Sequence, residues 1–467
     1  MDFTELVRRT LRGTLVLCAA LSFAVASAAI HHVAQGESIT ETLQRAEPGD
    51  IVRLIGHEYH ENVVIDVPVT LVGVRMPVIR GDYQGNVVHI RAPGTEIRGV
   101  HVSEAGSRLT KDMACILIEA DDVTVRDSRV SESLHGIYVK GGNNVLIAGN
   151  RIEGRTDLIE ADRGNGIHLW NSTGNRIVDN EIFNARDGIY FSFASKTEIN
   201  RNHVHDVRYG LHYMYSNENT FSDNLFEHNV AGAALMYSED ILFARNVFAR
   251  CRGYRAYGIL MQSMSRVTAK SNLILDNSRG LFLNNADSNV FERNDIVDND
   301  LAIQLNGGCD GNLFARNNFL DNLSELLLDV SDRETRWADD DAGNHWSRYR
   351  GYDLDGDGVG DVPFGVQNVF QVLESKVPEV RFYLLSPASE MLRAAERALP
   401  ILRLGDVEDP RPLMRAADNS EVPWELAGHF AGTPSPGWAA AYVLGAVGPL
   451  GLLVFFSRPR QRRPGTR

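Results

Sequence analysis

A repeating unit of about 22 residues is the feature that most constrains how this chain folds. Each unit begins with a glycine-led hydrophobic segment, such as "GIYFS" or "GLHYM", and closes with a line such as "NRIVDNEI" or "NTFSDNLF". In seven successive units the asparagine of the closing line lies 14 residues after the glycine. The recurring asparagines are Asn150, Asn180, Asn202, Asn224, Asn246, Asn272, Asn294 and Asn317.

The repeat predicts stacked β-strands rather than helices. Its segments are short, rich in Val, Ile and Phe, alternate with period two, and are separated by Gly, Asn and Asp. A unit of this length with two or three strands is typical of one rung of a right-handed parallel β-helix. Identical asparagines stacked at a turn hydrogen-bond from rung to rung, so we interpret them as structural. The stretch "SITETLQRAEPGDIVRLIGHEYHENVVI" predicts a capping helix and first rung at the open N-terminal end.

The two ends of the chain predict export and a membrane tether. Residues 1–28 have the basic start, short apolar core and Ala-Ser-Ala ending of a secretory signal peptide. After a linker at 432–437, residues 438–456 are apolar and uncharged, about the length of one transmembrane helix. The arginine-rich tail 457–467 then stays in the cytoplasm. We therefore expect a periplasmic body tethered to the inner membrane. Its formal net charge of −14 argues against a nucleic-acid partner.

The body divides into three predicted parts: an all-β parallel β-helix with its N-terminal cap (29–342), an acidic segment (343–364) and a small C-terminal helical region (365–431). Within the last part, "SPASEMLRAAERALP" (386–400) predicts an amphipathic helix between Pro387 and Pro400. Three cysteines remain after export, Cys115, Cys251 and Cys309, so one disulfide at most is expected.

The acidic segment contains part of a calcium-loop pattern. Its aspartates occupy positions 1, 3, 5 and 9 of that pattern, and Gly358 stands at the sharp turn. Position 12 is Phe364 rather than a bidentate glutamate, so the segment is not a full EF-hand. Calcium or another hard cation and a solvated acidic turn are both compatible with the pattern. The candidate ligands are Asp353, Asp355, Asp357 and Asp361.

Alternation along the glycine-led strands separates an inward set from an outward set of side chains. Counting from the glycine, positions +1 and +3 are hydrophobic and fill the interior. Position +2 points outward and carries Tyr138, His168, Tyr190, His212, Ala234, Leu260 and Phe282. Position +4 also points outward and carries Lys140, Trp170, Ser192, Met214, Met236, Gln262 and Asn284.

This outward stripe of His, Met, Tyr and Trp is unusual for a surface selected only for solubility. Thioether and imidazole groups are ligands for a soft metal, above all Cu(I), which makes His212, Met214, Met236 and His168 candidate copper ligands. A Tyr/His/Trp groove also suits a polysaccharide, with Tyr and His as acid and base. The stripe is equally compatible with a surface covered by loops or by a partner, in which Met fills gaps. Cleavage after Ala28 would add a separate Cu(II) site, formed by the new amino terminus, two amides and His31.

Several segments resemble the NosD family of nitrous-oxide-reductase maturation proteins. They are "RGNGIHLWNS", "RDGIYFS", "RYGLHYMYSN", "GAALMYS", "RGLFLNNA", "GNHWSRYRGYDLDGDGVGDVPF", "SPASEML…ERALP" and "DPRPLM". The resemblance implies a periplasmic accessory protein that works with the membrane subunit and ATPase of an ABC transporter. With a copper chaperone lipoprotein, these proteins help to assemble the copper–sulfide centre of nitrous oxide reductase. The predicted transmembrane helix departs from the soluble pattern of the family.

A carbohydrate-active enzyme of the lyase or epimerase kind is the alternative, since many such enzymes share the β-helix. "EADDVTV" and "SLHGIYVK" resemble polygalacturonase lines only weakly, and neither outward column carries a carboxylate across the seven rungs. Without an acid–base pair beside the stripe, we expect an accessory factor rather than an enzyme.

Overall fold

The computed structural model describes residues 28–428, apart from 109–110, 329–333, 368–372, 374–376, 384–385, 389–390 and 393–406. Nearly all of the predicted signal peptide, the linker, the transmembrane segment, the basic tail and most of the predicted helix at 386–400 lie outside the described residues. No helix within the described part is long and apolar enough to cross a membrane. The chain forms two units, 1–424 and 425–467, and of the second only residues 425–428 are described.

The first unit is a right-handed parallel β-solenoid with three faces, which confirms the predicted fold class. The glycine face holds the glycine-led strands, the approach face holds the strands that lead to the recurring asparagines, and the return face holds the strands that follow them. The glycine and approach faces join into one 23-stranded sheet because two 14-residue strands run through both, whereas the return face is a separate 13-stranded sheet.

The strand bounds are as follows. The glycine face comprises Val63–Ile65, Val88–Ile90, Ala114–Ile118, His135–Lys140, Asn165–Thr173, Asp187–Ser195, Tyr209–Met214, Ala231–Ala244, Tyr257–Lys270, Arg279–Asn284, Leu301–Leu305 and Ser324–Leu328. The approach face adds Ile30–Val33, Ile51–Leu54, Thr70–Gly73, Glu96–Arg98, Thr124–Arg126, Leu146–Ala148, Arg176–Val178, Glu198–Asn200, Thr220–Ser222, Val290–Glu292 and Leu313–Ala315. The return face comprises Glu58–His60, Val78–Arg80, His101–Ser103, Arg129–Ser131, Arg151–Glu153, Glu181–Phe183, His203–His205, Leu225–Glu227, Val247–Ala249, Leu273–Leu275, Asp295–Val297, Asn318–Leu320 and His345–Trp346.

Few helices accompany these strands in the described residues. The helices whose bounds are fully described include the α-helices Ile39–Leu43 and Trp424–Gly428 and the 3₁₀ helices Glu160–Asp162 and Pro378–Tyr383, and residues 387–388 and 391–392 are also helical. Ile39–Leu43 is the predicted N-terminal capping helix. Ser38 accepts a hydrogen bond from the Glu41 N–H at its start, and Ile39 and Leu43 are buried over the end of the solenoid.

The recurring asparagines form a continuous buried ladder, as predicted. The Asn180 side chain donates to Asn202 Oδ1 at 2.9 Å, and Asn202 donates in turn to Asn224 Oδ1 at 3.0 Å. The same oxygens also accept the main-chain N–H of the preceding rung. Each amide therefore satisfies backbone groups that the turn would leave without partners in the dry interior.

The glycines at the start of the glycine face are required by the close approach of neighbouring rungs. A Cβ on Gly188 would lie 2.6 Å from the carbonyl oxygen of Gly210, and one on Gly210 would lie 2.5 Å from that of Gly232. Both distances are well inside van der Waals contact, so a side chain at this column would push the rungs apart. This explains why the glycine recurs with the same period as the asparagine.

The C-terminal boundary of the solenoid was predicted too early. The strand His345–Trp346 pairs in parallel with Asn318 and Phe319, so the return face continues past residue 342 into the segment assigned to the acidic loop. Asn344 also extends the ladder, because its Oδ1 accepts from the Asn317 N–H at 3.1 Å. An insertion before this strand makes the spacing between Asn317 and Asn344 longer than the usual repeat, so the strand could not be recognised from the repeat.

The described part of the predicted helical region combines short helices with irregular and extended chain. The strand Glu408–Asp409 pairs antiparallel with Phe364–Gly365. The chain then follows the return face, where Ala417 exchanges hydrogen bonds with Asn318 and Trp424 Nε1 donates to Asp295 at 2.7 Å. This part of the chain therefore closes the C-terminal end of the solenoid. The three cysteines are buried and free, so no disulfide forms among them.

Candidate functional site

The outward columns of the glycine face are real stacks of side chains. Register aligns Tyr138, His168, Tyr190 and His212 on successive rungs, while the +1 and +3 side chains are buried as predicted. The His168 ring stacks on Tyr138 at 4.3 Å and meets Tyr190 edge-on at 4.6 Å, and Tyr190 meets His212 edge-on at 4.8 Å. Alternating Tyr and His rings thus form one wall.

The wall borders a groove of about 700 Å³, which we call the histidine groove. Three imidazoles, two guanidinium groups and three large aromatic rings line it. Its lining residues are Asp112, His135, Tyr138, Lys140, Asn165, His168, Trp170, Arg186, Tyr190, Ser192, Arg208 and His212. The groove therefore holds most of the chemistry that the sequence placed on the outward stripe.

Met214 and Met236 lie beside the groove on neighbouring rungs. They are register partners and both are half-buried. The Tyr190 hydroxyl points at the Met214 sulfur at 3.9 Å, so one tyrosine touches both the sulfur and the His212 ring. His212 and Met214 share one face of a strand, two positions apart. The register therefore places His212, Met214 and Met236 on the same outward face of neighbouring strands, whereas the Tyr190 ring lies between His212 and His168.

Asp187 is the residue of this site that sequence reasoning missed. It is fully buried, and its carboxylate accepts two hydrogen bonds from Arg208, at 2.9 and 2.7 Å, and one involving His212 Nδ1 at 2.9 Å. Arg186 Nε lies 3.4 Å from it. Burial on its own would raise the pKa of Asp187, but the hydrogen bonds and charges of His212 and Arg208 hold that pKa below its usual value.

Hydrogen bonding distinguishes the three imidazoles of the groove. Asp187 is an ionised acceptor, so neutral His212 carries its proton on Nδ1 and leaves Nε2 with a free lone pair. His135 is the opposite case, because its Nδ1 accepts the Asn165 N–H at 3.1 Å and its proton is therefore on Nε2.

His168 also accepts at Nδ1, from the Asn165 side-chain amide at 3.4 Å. Arg186 fixes that amide orientation by donating to Asn165 Oδ1 at 3.2 Å. Burial lowers the pKa of His168 to about 3, which keeps the ring neutral. Of the groove histidines, His212 is therefore the one that presents an unprotonated Nε2.

Comparison with known proteins identifies the family. The model described as "Periplasmic copper-binding protein (NosD)" matches residues 148–351. A protein of Stutzerimonas stutzeri named "Probable ABC transporter binding protein NosD" is 34% identical over 396 residues, which cover 81% of this chain and 90% of that protein. The chain belongs to the NosD family. A Pseudomonas aeruginosa NosD protein of the same name is also 34% identical, over 82% of this chain and 92% of its own length.

Solved structures match this NosD-family chain only at low similarity. A polygalacturonase from Erwinia carotovora is 12% identical with a TM-score of 0.44, and covers 66% of this chain and 96% of that chain. The A-module of the Azotobacter vinelandii mannuronan C-5 epimerase AlgE6 is 14% identical with a TM-score of 0.43, and covers 66% and 87%.

A ladder of exposed aromatic rings runs next to the methionines of this NosD-family chain. Phe193, Tyr215 and Tyr237 follow the +4 position on three successive rungs and are 56%, 47% and 46% exposed. Their rings stack at 5.4 and 5.2 Å. All three have φ near +50°, a left-handed conformation that is costly for bulky residues. We define these three residues as the aromatic ladder.

The other predicted metal sites lie away from the groove. Asp353, Asp355 and Asp357 bring carboxylate oxygens within 4.8 Å of one another, whereas Asp361 accepts the Leu354 N–H instead and is outside that group. The hard-cation site stays a prediction.

The N-terminal Cu(II) site also stays a prediction, and it has a structural cost. His31 lies in a strand paired with Ile51–Leu54, and its Nε2 is 2.7 Å from Asp50. A square-planar site built from residues 29–31 would require this strand to leave the sheet.

Proposed function

We propose that this chain is a periplasmic accessory protein that handles Cu(I) during the maturation of nitrous oxide reductase. In this role it works with the membrane subunit and ATPase of an ABC transporter, receives copper from a chaperone lipoprotein, and serves assembly of the copper–sulfide centre. The description of the NosD family and the names of the two NosD relatives support copper binding, a periplasmic location and association with an ABC transporter. The donor set beside the histidine groove is the structural observation that carries the proposal.

That donor set fits Cu(I). Two thioether sulfurs and one imidazole nitrogen are soft or borderline ligands, and Cu(I) accepts low coordination numbers with such ligands. His212 Nε2 has the lone pair that a metal needs, while Met214 and Met236 come from register partners on adjacent strands. His168 fits less well, since Asn165 occupies its Nδ1 and its neutral form carries a proton on Nε2.

The position of the site suits transfer rather than storage. The methionines are half-buried on an outward face, so an ion held there is reachable by a partner without unfolding of the solenoid. Neutral thioether ligands leave no uncompensated negative charge behind when the ion departs. The aromatic ladder next to them offers apolar surface for a docked protein.

The experiment that tests the proposal is an anaerobic Cu(I) competition with a chromophoric chelator on the exported part of the chain. Wild type is compared with His212→Ala, Met214→Ala and Met236→Ala, and with Gln262→Ala as a control in the same +4 column. We expect each site variant to weaken Cu(I) binding at least about tenfold, which corresponds to 1.4 kcal/mol, with the control unchanged. Equal affinity in all five proteins would disprove a copper site at these residues.

Carbohydrate modification is the second candidate, because the Asp187–His212 pair and the tyrosine wall supply groups used in acid–base chemistry. However, Asp187 is fully buried with both oxygens occupied by Arg208, and the carboxylate that lines the groove is Asp112. Incubation with polygalacturonate and alginate, followed by chromatography of the products, tests this alternative. Products formed by wild type and lost in His212→Ala would favour an enzyme.

Export and tethering are part of the proposal and rest on the sequence of the two ends. Cell fractionation tests them directly. We expect the full chain in the membrane fraction, exposed to protease from the periplasmic side, and a chain ending at residue 437 in the soluble periplasmic fraction. The full-length chain appearing in the soluble fraction would remove the tether from the proposal.

A further inference from the structure

We propose that Asp187 is a positioning residue that makes His212 Nε2 the copper-binding atom. This inference rests on the proposed function, since it concerns the same candidate ligand. Its structural basis is the contact between the Asp187 carboxylate and His212 Nδ1 at 2.9 Å, beneath the floor of the histidine groove. Histidine ligands of metals commonly donate their second ring N–H to a carboxylate, which fixes the tautomer and the ring orientation.

The surroundings of Asp187 show that it is held as a permanent acceptor. Arg208 donates to both carboxylate oxygens, and Arg186 approaches one of them. Both arginines precede the strands that carry Tyr190 and His212, and the Arg208 N–H bonds the Arg186 carbonyl at 2.8 Å. Asp187 is thus fixed by two neighbouring rungs while it contacts the imidazole. A carboxylate that served only to neutralise Arg208 would not need the additional hydrogen bond with His212.

The other groove histidines provide an internal comparison. His135 and His168 contact Asn165 through Nδ1, and in both cases the ring nitrogen accepts. Asn165 and His135 lie one rung and two rungs below Asp187, in the column of residues that precede the glycines. The column therefore changes from an amide donor at Asn165 to a carboxylate acceptor at Asp187. The ring proton moves with this change, from Nε2 in His135 and His168 to Nδ1 in His212. His212, on the same strand as Met214, is therefore the histidine whose Nε2 can bind a metal.

The first measurement uses the metal-free wild-type chain. Long-range ¹⁵N–¹H correlation of histidine-labelled protein distinguishes a protonated ring nitrogen from an unprotonated one, and His212→Gln identifies the His212 signals. We expect a protonated Nδ1 and an unprotonated Nε2 for His212, and the reverse for His168. An Nε2-protonated His212 would overturn the inference without any use of copper.

The second measurement uses Asp187→Asn. The asparagine keeps the size of the side chain and an oxygen for Arg208, but its NH₂ group donates to His212 Nδ1 and so places the ring proton on Nε2, as happens when the aspartate of a catalytic triad is replaced. We expect the NMR tautomer of His212 to invert and Cu(I) affinity to fall about 10- to 100-fold.

Asp179→Asn is a control for the arginine contact alone. Arg201, on the next rung, also donates to both oxygens of Asp179, at 2.7 Å each, but Asp179 is about half exposed and no histidine among the described residues contacts its carboxylate. A purely structural role of Asp187 predicts lower stability with an unchanged tautomer and unchanged Cu(I) affinity in the folded fraction. If Asp187→Asn does not fold, the wild-type spectrum still decides the inference. If wild type shows the expected tautomer but no variant of His212, Met214 or Met236 affects Cu(I), the proposed function fails while the hydrogen-bond assignment stands.

Discussion

The main-chain N–H of Asn344 donates to the carboxylate of Asp409 at 2.7 Å, across 65 positions of sequence. In the rungs below, the equivalent acceptor is the side-chain oxygen of the next asparagine in the ladder. Asp409 therefore takes the place of a missing rung, and it also accepts the Trp346 indole N–H at 2.8 Å. The end of the solenoid is closed by one carboxylate from a distant strand.

Replacing Asp409 with Ala should destabilise the fold strongly. The Asn344 N–H and the Trp346 indole N–H would both be left buried without an acceptor, at about 1–3 kcal/mol for each group. Burial raises the pKa of Asp409 to about 6 despite its hydrogen bonds, so Asp409→Asn, which keeps one oxygen and removes the charge, should cost much less. Urea unfolding of the two variants measures the difference, and equal losses would show that the ladder does not depend on this acceptor.

The asparagine ladder should tolerate substitution poorly in its middle. Asn246 Oδ1 accepts hydrogen bonds from the main-chain N–H and from the side-chain amide of Asn224. Asn246 Nδ2 donates to the Phe221 carbonyl oxygen and to Asn272 Oδ1. Asn246→Ala leaves several buried groups unpaired, and we expect a loss of about 3 kcal/mol or more. The control is Asn200→Ala, a half-buried asparagine that donates to Ser222, for which we expect about 1 kcal/mol. Denaturant midpoints that shift by the same amount would contradict a special role of the ladder.

The repeat made much of this architecture predictable. Period two assigned Leu211 and Tyr213 to the interior and His212 and Met214 to the outside, because one buried face fixes the register of every strand. The same reasoning identified the asparagine ladder before its hydrogen bonds were known. Contacts that repeat from rung to rung are visible in sequence, since each rung samples the same environment.

Contacts that occur once were not predictable in the same way. Asp187 precedes Gly188, and an Asp-Gly pair in sequence predicts an ordinary turn rather than a functional carboxylate. The side chain is fully buried beneath the groove and contacts His212, 25 positions later in the chain, through a hydrogen bond that does not repeat on the other described rungs. Asp409 lies far from Asn344 in sequence, within no repeat. The end strand His345–Trp346 was hidden because the preceding insertion interrupts the regular spacing.

Glu325 should make stability depend on pH. It occupies the glycine column at the last described rung of that face, beyond which none of the described strands excludes a side chain, and neither carboxylate oxygen accepts a hydrogen bond from the described residues. Burial raises its pKa to about 7. Between about pH 4.5 and 7 the unfolded chain loses this proton and the folded chain keeps it, so the folded state loses stability as pH rises, by roughly 3 kcal/mol in all.

Glu325→Gln removes this titration. We expect the variant and wild type to be similarly stable near pH 4.5 and the variant to be the more stable above pH 7. Chemical unfolding of both proteins across this range provides the comparison. If the free energy of unfolding depends on pH in the same way in both proteins, ionisation of Glu325 does not destabilise the folded state.

The acidic loop should bind calcium if its three clustered carboxylates act together. Asp353, Asp355 and Asp357 already lie within 4.8 Å of one another, and bound Ca²⁺ would stabilise the folded state by mass action. We expect the melting temperature to rise with millimolar calcium in wild type and in Asp341→Asn, but not in Asp355→Asn. A melting temperature that does not change with calcium in wild type would disprove a calcium site in this loop.

Met214 and Met236, beside the groove, should be dispensable for folding, in contrast to Leu235, which precedes Met236 in the same strand. Met214 and Met236 are half-buried, so their replacement by Ala should cost about 1 kcal/mol each, whereas Leu235→Ala, fully buried between the sheets, should cost about 2–5 kcal/mol. A loss above about 2 kcal/mol for either methionine would place it in the core and remove the reason to regard it as a metal ligand. With the small loss that we expect, weaker Cu(I) binding in the methionine variants reports on the site itself, because the solenoid that positions His212 remains folded.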